Sequence, residues 1–299
     1  MHTHTLTRLL LAALLPLAAG CGIGELSSSA PGDTQRGSMG AASTEEVLFD
    51  RSFETGLQVM KPMSQFGASM QITHTLRPPS ASGTPLWRLA QWSSQSTLTG
   101  AGSRQPDGSW AWATADKRVS FGPRGLTLAI NADNEFKGVY RKQGGTWPHL
   151  LVEQDISVPG APGAGTPTLA ELSKLEFSID AQLDYSHRIQ ESGYDPTLHA
   201  AQFFVYFTVQ NLDASSPHYG GDFLWLQIML YDDREAFPGK GPAEPDAAMQ
   251  KFIYEVPLRE LTSTSLHSGQ EVRVQGDILA HAKKAVAIAK QRGLLASDD

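Results

Sequence analysis

Three stretches of this chain alternate strictly between two kinds of side chain, and that period of two limits its folding more than any other feature. In 176–185, EFSIDAQLDY, Phe177, Ile179, Ala181 and Leu183 alternate with Glu176, Ser178, Asp180, Gln182 and Asp184. In 202–210, Phe203, Val205, Phe207 and Val209 alternate with Gln202, Phe204, Tyr206, Thr208 and Gln210. In 222–231, Leu224, Leu226, Ile228 and Leu230 alternate with Phe223, Trp225, Gln227, Met229 and Tyr231. Successive side chains of a strand point to opposite faces, so each stretch has one aliphatic or phenyl face and one mixed face of rings, amides and carboxylates. The first is the expected core.

Further strands are expected at 119–121, 126–131, 149–155, 252–256 and 271–275, with shorter signals near 67–76 and 86–92. Glycine (28) and proline (18) punctuate these segments, the pattern of a mainly β, two-sheet antiparallel sandwich. Helix is expected only at the end. There Asp277 caps ILAHAKKAVAIAKQRG, Ile278, Ala282, Ala285 and Ala289 share a face, and Gly293 stops the run.

The first twenty residues carry Arg8, the apolar run Leu9 to Leu17, and then Ala18, Ala19 and Gly20. This order is that of an export signal, with an apolar core too short to span a bilayer. It is followed by Cys21, the only cysteine of the chain, and LAAGC resembles the lipobox of bacterial lipoprotein signal peptides. That resemblance implies removal of 1–20, lipidation of the Cys21 thiol and acylation of its new amino terminus. A thiolate suits this role because it is the best nucleophile available for accepting a lipid group, and several buried acyl chains make a durable anchor where one is marginal. Gly22 stands where an aspartate would retain a Gram-negative lipoprotein in the inner membrane, so the outer membrane is the expected address. A mature chain without further cysteine has no internal disulfide and relies on its core.

Residues 22–44 are rich in Gly, Ser and Ala with almost nothing to bury. They read as a flexible tether with a reach of roughly 25–30 Å, leading to a single folded region, 45–299. Without 1–20 the chain keeps 23 basic and 31 acidic residues, and no sequence segment concentrates Lys and Arg. Nucleic acid and anionic lipid head groups are therefore poor partners, and a neutral partner is the easier one.

Long strands with one aliphatic face and one of Trp, Tyr, Gln and Asp resemble the concave sheet of concanavalin A-like jelly rolls, shared by lectins, glucanases and polysaccharide lyases. DFLWLQIMLYDD, 222–233, resembles the jelly-roll endoglucanase strand that carries the nucleophilic glutamate, and Gln227 fills that glutamate's place. An amide does not ionise but hydrogen-bonds sugar hydroxyls, so the resemblance implies binding better than cleavage. Such a face needs rings to stack on sugars and polar groups to read hydroxyls. Gln202, Phe204, Tyr206, Trp225, Gln227, Tyr231, Asp180 and Asp184 are the candidates, with polysaccharide as the expected partner and no cofactor. The alternative for the same face is packing beneath a loop or the C-terminal helix.

If the chain is an enzyme, a glycoside hydrolase or polysaccharide lyase, the acids to consider are Asp180, Asp184 and Asp222, with Asp232 and Asp233 reading as turn carboxylates. Asp180 and Asp184 are about 13 Å apart along one strand, too far for a retaining pair, which needs about 5–5.5 Å. The loop SHRIQESGYDPTLHAAQ brings His187, Arg188, Tyr194, Asp195 and His199 to the rim of a groove. His187 and His199 lack a third ligand for a metal, and NADNEFKG, 131–138, reads as a turn rather than a calcium loop. No nucleophile elbow, zinc-protease, Walker or dinucleotide motif occurs. A third reading is a structural or protein-interaction lipoprotein without a sugar site.

Overall fold

The alternating segments 202–210 and 222–231 become adjacent inner strands of a large sheet, and 176–181 becomes a strand of the layer facing it. The computed structural model describes residues 46–61, 71–156, 168–213, 215–219, 221–243, 245 and 250–296, with the backbone of 5–11. Cys21 and the expected tether lie outside the described residues. The front sheet contains β1 (Thr5–Leu11), β2 (Leu57–Met60), β3 (Ile72–Leu76), β4 (Trp87–Ala90), β9 (Leu151–Asp155), β11 (Gln202–Asn211), β12 (Phe223–Asp232), β13 (Gly241–Pro242) and β14 (Ile253–Glu255). Their order is β13, β14, β12, β11, β1, β9, β4, β2, β3. Pairing is antiparallel except between β12 and β14 and between β2 and β4.

The facing layer is split. One part is the antiparallel pair of β10 (Glu176–Ala181) and β15 (Val272–Asp277). The other is a meander of β5 (Ser103–Arg104), β6 (Trp110–Ala113), β7 (Lys117–Gly122) and β8 (Gly125–Ile130). Together the layers form a mainly β sandwich.

The core lies where the alternation places it. Leu224, Leu226, Ile228 and Leu230 are fully buried, as are Val205 on β11 and Val274 on β15. Full burial of each such side chain contributes about 1.5–3 kcal/mol. Phe207 of β11 meets Phe177 of β10 edge to face at 5.8 Å, so the inner faces of the front sheet and the β10/β15 pair are in contact. In the meander, Trp112 stacks on Phe121 at 5.1 Å and fills the space above Gly102, where an added Cβ would come within 2.6 Å of the indole.

The C-terminal helix α2 spans Leu279–Gln291 and buries Leu279, Ala282, Ala285 and Ala289, packing against β12. Alanines on this face allow close approach to the sheet. The Asp277 carboxylate accepts the amides of Leu175 and Leu279, both at 3.0 Å, and so serves the helix start from just outside it. At the other end Gly293 has φ 67°; its amide reaches the Lys290 carbonyl and that of Leu294 the Ala289 carbonyl, closing the helix in a left-handed turn that glycine adopts without steric cost. No strand follows α2 among the described residues.

Candidate functional site

The outer surface of the front sheet carries the mixed face of β11 and β12. Cross-strand pairing sets Tyr206 opposite Gln227, Thr208 opposite Trp225 and Gln210 opposite Phe223. Four rings follow one another: Phe204 to Tyr206 at 4.6 Å, Tyr206 to Trp225 at 5.7 Å and Trp225 to Phe223 at 5.6 Å between centroids. The Lys251 ammonium lies 4.6 Å from the Phe223 centroid, closing one end of the row. At the other end Phe204 packs on Met60, Ala90, Trp92 and Leu151.

Phe204, Tyr206 and Phe223 are half-buried. Trp225 is only 8% exposed and Gln227 3%, and Trp225 and Tyr206 both make further contacts. The residues expected to touch a ligand most directly are thus the more enclosed ones, while the flanking rings present more surface.

Tyr231, expected on this face, belongs to the core instead. The register of β11 and β12 shifts between Phe203 and Phe204: Phe203 pairs with Tyr231 but Phe204 with Met229. Leu230 is the extra residue, and this bulge turns Tyr231 inward. There its hydroxyl donates to Ser186 Oγ at 2.9 Å and its ring lies 4.7 Å from His267.

The same bulge brings Asp232 beside Gln202, whose amide donates to Asp232 Oδ2 at 2.7 Å. Arg234 grips both carboxylate oxygens through Nε and Nη2 at 2.8 and 2.6 Å. Burial opposes ionisation of Asp232, but the bonds from Arg234 and Gln202 outweigh it and hold the carboxyl down to about 2. Asp233 differs. Its side chain is 5% exposed, its nearest cation is Arg188 at 3.7 Å, Oδ1 has no partner, and burial pushes its carboxyl up.

Asp180 and Asp184 do not join the ring row. β10 turns Phe177, Ile179 and Ala181 inward, so Asp180 points out of the opposite side of the sandwich, where Arg273 of β15 pairs with it at 2.9 Å. Asp184 is exposed in the following loop. Asp222 precedes β12 and accepts the Ala296 amide at 3.0 Å, tying down the chain beyond α2.

The carboxylates that do share the front face are Glu153 and Asp155 of β9. Trp87, Leu89 and Val152 face the core, so alternation places Arg88, Glu153 and Asp155 on the other side. Arg88 Nε donates to Glu153 at 2.6 Å, and Nη1 and Nη2 to Asp155 at 2.9 and 3.1 Å. Burial works against the Arg88 charge, and the bonds to Asp155 and Glu153 overcome it, raising its affinity for the proton. Extending the alternation of 149–155 to its polar members would have found this pair.

At the Phe204 end stand two loops, 136–149 and 182–201. The Tyr140 hydroxyl donates to the Ile189 carbonyl and accepts the Glu191 amide, and Arg141 Nε donates to the Leu198 carbonyl. Tyr140 also lies 4.8 Å from the His199 ring. His187 is exposed. Among the described residues no group of three or more metal-ligating side chains converges, and no helix is long and apolar enough to cross a membrane.

Fold and face together define a mainly β sandwich with a C-terminal helix and an aromatic row on its front sheet. Comparison with family models, curated proteins and solved structures finds no match.

Proposed function

We propose that this chain is a lipid-anchored cell-envelope protein, held by acylated Cys21 at the bacterial outer membrane, whose sandwich binds a polysaccharide without cleaving it. The row Phe204, Tyr206, Trp225, Phe223 carries this reading: ring faces at spacings of 4.6–5.7 Å suit the C–H faces of successive sugars. Phe204, Tyr206 and Phe223 offer most of the contact surface, Gln202 reads hydroxyls, and the more enclosed Trp225 links Tyr206 to Phe223 within the row.

Cleavage is not favoured. Glu153 and Asp155 are both engaged by one guanidinium as hydrogen-bond acceptors, whereas hydrolysis requires one carboxyl free to donate a proton. A structural or protein-interaction role is the second reading, and the burial of Trp225 and Gln227 favours it.

Detergent-solubilised protein on a glycan array separates the readings. Polysaccharide binding predicts a hit that weakens about tenfold in Phe204→Ala, the loss of roughly 1.4 kcal/mol of ring contact, and is unaltered in Asp180→Asn. Absence of any hit, or an unchanged Phe204→Ala, refutes it. Turnover of the bound glycan would restore the hydrolase or lyase reading.

A further inference from the structure

The two loops at the Phe204 end are joined through one imidazole. His199 Nδ1 accepts the Asp195 amide at 2.8 Å, and its Nε2 lies 2.8 Å from the Arg141 carbonyl. The first partner is a donor and the second an acceptor, so Nδ1 must be bare and Nε2 must carry the hydrogen. Only the neutral Nε2–H tautomer satisfies both. A second proton would place two N–H groups against each other at the Asp195 contact while leaving the Arg141 contact intact.

We propose that His199 is a pH-sensitive latch within loop 182–201, holding the Asp195 turn closed through Nδ1 while the imidazole is neutral and releasing it when protonated, with Nε2 keeping the loop tied to Arg141 of loop 136–149 throughout. Release loosens the segment beside Arg234, whose Nη1 holds the Pro196 carbonyl at 3.0 Å, and frees the end of the ring row where Gln202 and Phe204 begin. That consequence for ligand access rests on the polysaccharide reading; the latch does not.

The groups facing His199 set the balance. Tyr140 and Tyr194 flank the ring at 4.8 and 5.6 Å. The Arg141 guanidinium is held by the Leu198 and Gly145 carbonyls and the face of Trp147. The Asp195 carboxylate, engaged by Thr197, attracts a charged imidazole in the closed geometry and so works against release. Arg188 lies over Tyr194 and beside Asp233. Asp233 also works against release: it is buried when the loop is closed, so acid stabilises closure through that carboxyl.

Hydrogen exchange reads the latch directly, because the Asp195 amide is the donor that would be released. In the intact protein its protection factor, corrected for intrinsic exchange, should fall about tenfold or more between about pH 7.5 and about pH 5. His199→Phe should leave this amide equally unprotected at both pH values, while Asp233→Asn should keep the pH dependence. Constant protection in the wild type, loss of the pH dependence in Asp233→Asn, or imidazole nitrogen shifts showing Nδ1–H at pH 7.5 would overturn the proposal. Glycan affinity should rise on acidification in the wild type but not in His199→Phe. If exchange behaves as expected and no glycan binds at any pH, the polysaccharide reading fails and the latch stands.

Discussion

Lys117 and Glu135 form an ion pair 3.1 Å apart with each side chain only 1% exposed. The ammonium also donates to Ser94 Oγ and, at 2.6 Å, to the Ser96 carbonyl, while the carboxylate accepts Ser94 Oγ and the Gln95 amide. The pair fastens the short helix α1 (Ala132–Glu135) and the 94–96 segment to β7. Glu135→Gln preserves the shape and the acceptor for Gln95 but leaves a buried, uncompensated ammonium. Breaking a buried pair from one side costs about 3–5 kcal/mol. For a folded region of about 250 residues this is roughly 6–20 °C in Tm, at about 2–4 °C per kcal/mol. Replacing both charges, Lys117→Met with Glu135→Gln, removes the stranded charge and should return stability to within about 2 kcal/mol of wild type. Urea unfolding followed by tryptophan fluorescence measures all corners of this cycle. A Glu135→Gln penalty below about 1 kcal/mol, or a double variant as unstable as the single, would refute the assignment of a desolvated pair.

Trp225→Ala should lower stability by about 3–5 kcal/mol, the cost of emptying a buried indole site, so unfolding midpoints and not affinity will be its main readout. Asp277→Ala should cost about 1 kcal/mol through loss of the helix-start acceptor. The amides of Leu175 and Leu279 lower the Asp277 pKa, so its contribution is present above the ordinary carboxylate range and lost as pH falls through the lowered value. The wild-type advantage over Asp277→Ala in unfolding midpoint should therefore shrink in strong acid and be full at neutral pH. Intact mass of protein isolated from membranes should begin at Cys21 with added acyl mass, and Cys21→Ala should lose that mass and partition to the soluble fraction. Residues 5–11 pair with β9 and β11, so a mature chain starting at Met1 without acyl mass would instead make them a permanent inner strand and refute the anchor.

Alternation made the core legible because burial on one face of a strand leaves a period of two that survives without any knowledge of partners. Every aliphatic member of 202–210 and 222–231 went inward, and the alanine face of α2 did likewise. Tyr231 broke the pattern because a bulge depends on how two strands pair, which no single segment records. β6, Trp-Ala-Trp-Ala, went unread because large and small apolar residues alternate there with no polar face to mark the period. Asp180 shared its pattern with the ring face, but parity within a strand does not say to which layer the strand belongs. The Arg88, Glu153, Asp155 cluster and the loops joined by His199 needed contacts between residues 58 to 67 apart in sequence.

The most direct test of the functional account is the affinity of membrane-extracted protein for its best glycan on substitution of Tyr206, the half-buried ring between Phe204 and Trp225. Tyr206→Ala should weaken binding about tenfold or more with an unfolding midpoint close to wild type. Unchanged affinity in a folded Tyr206→Ala protein would contradict polysaccharide binding along the ring row.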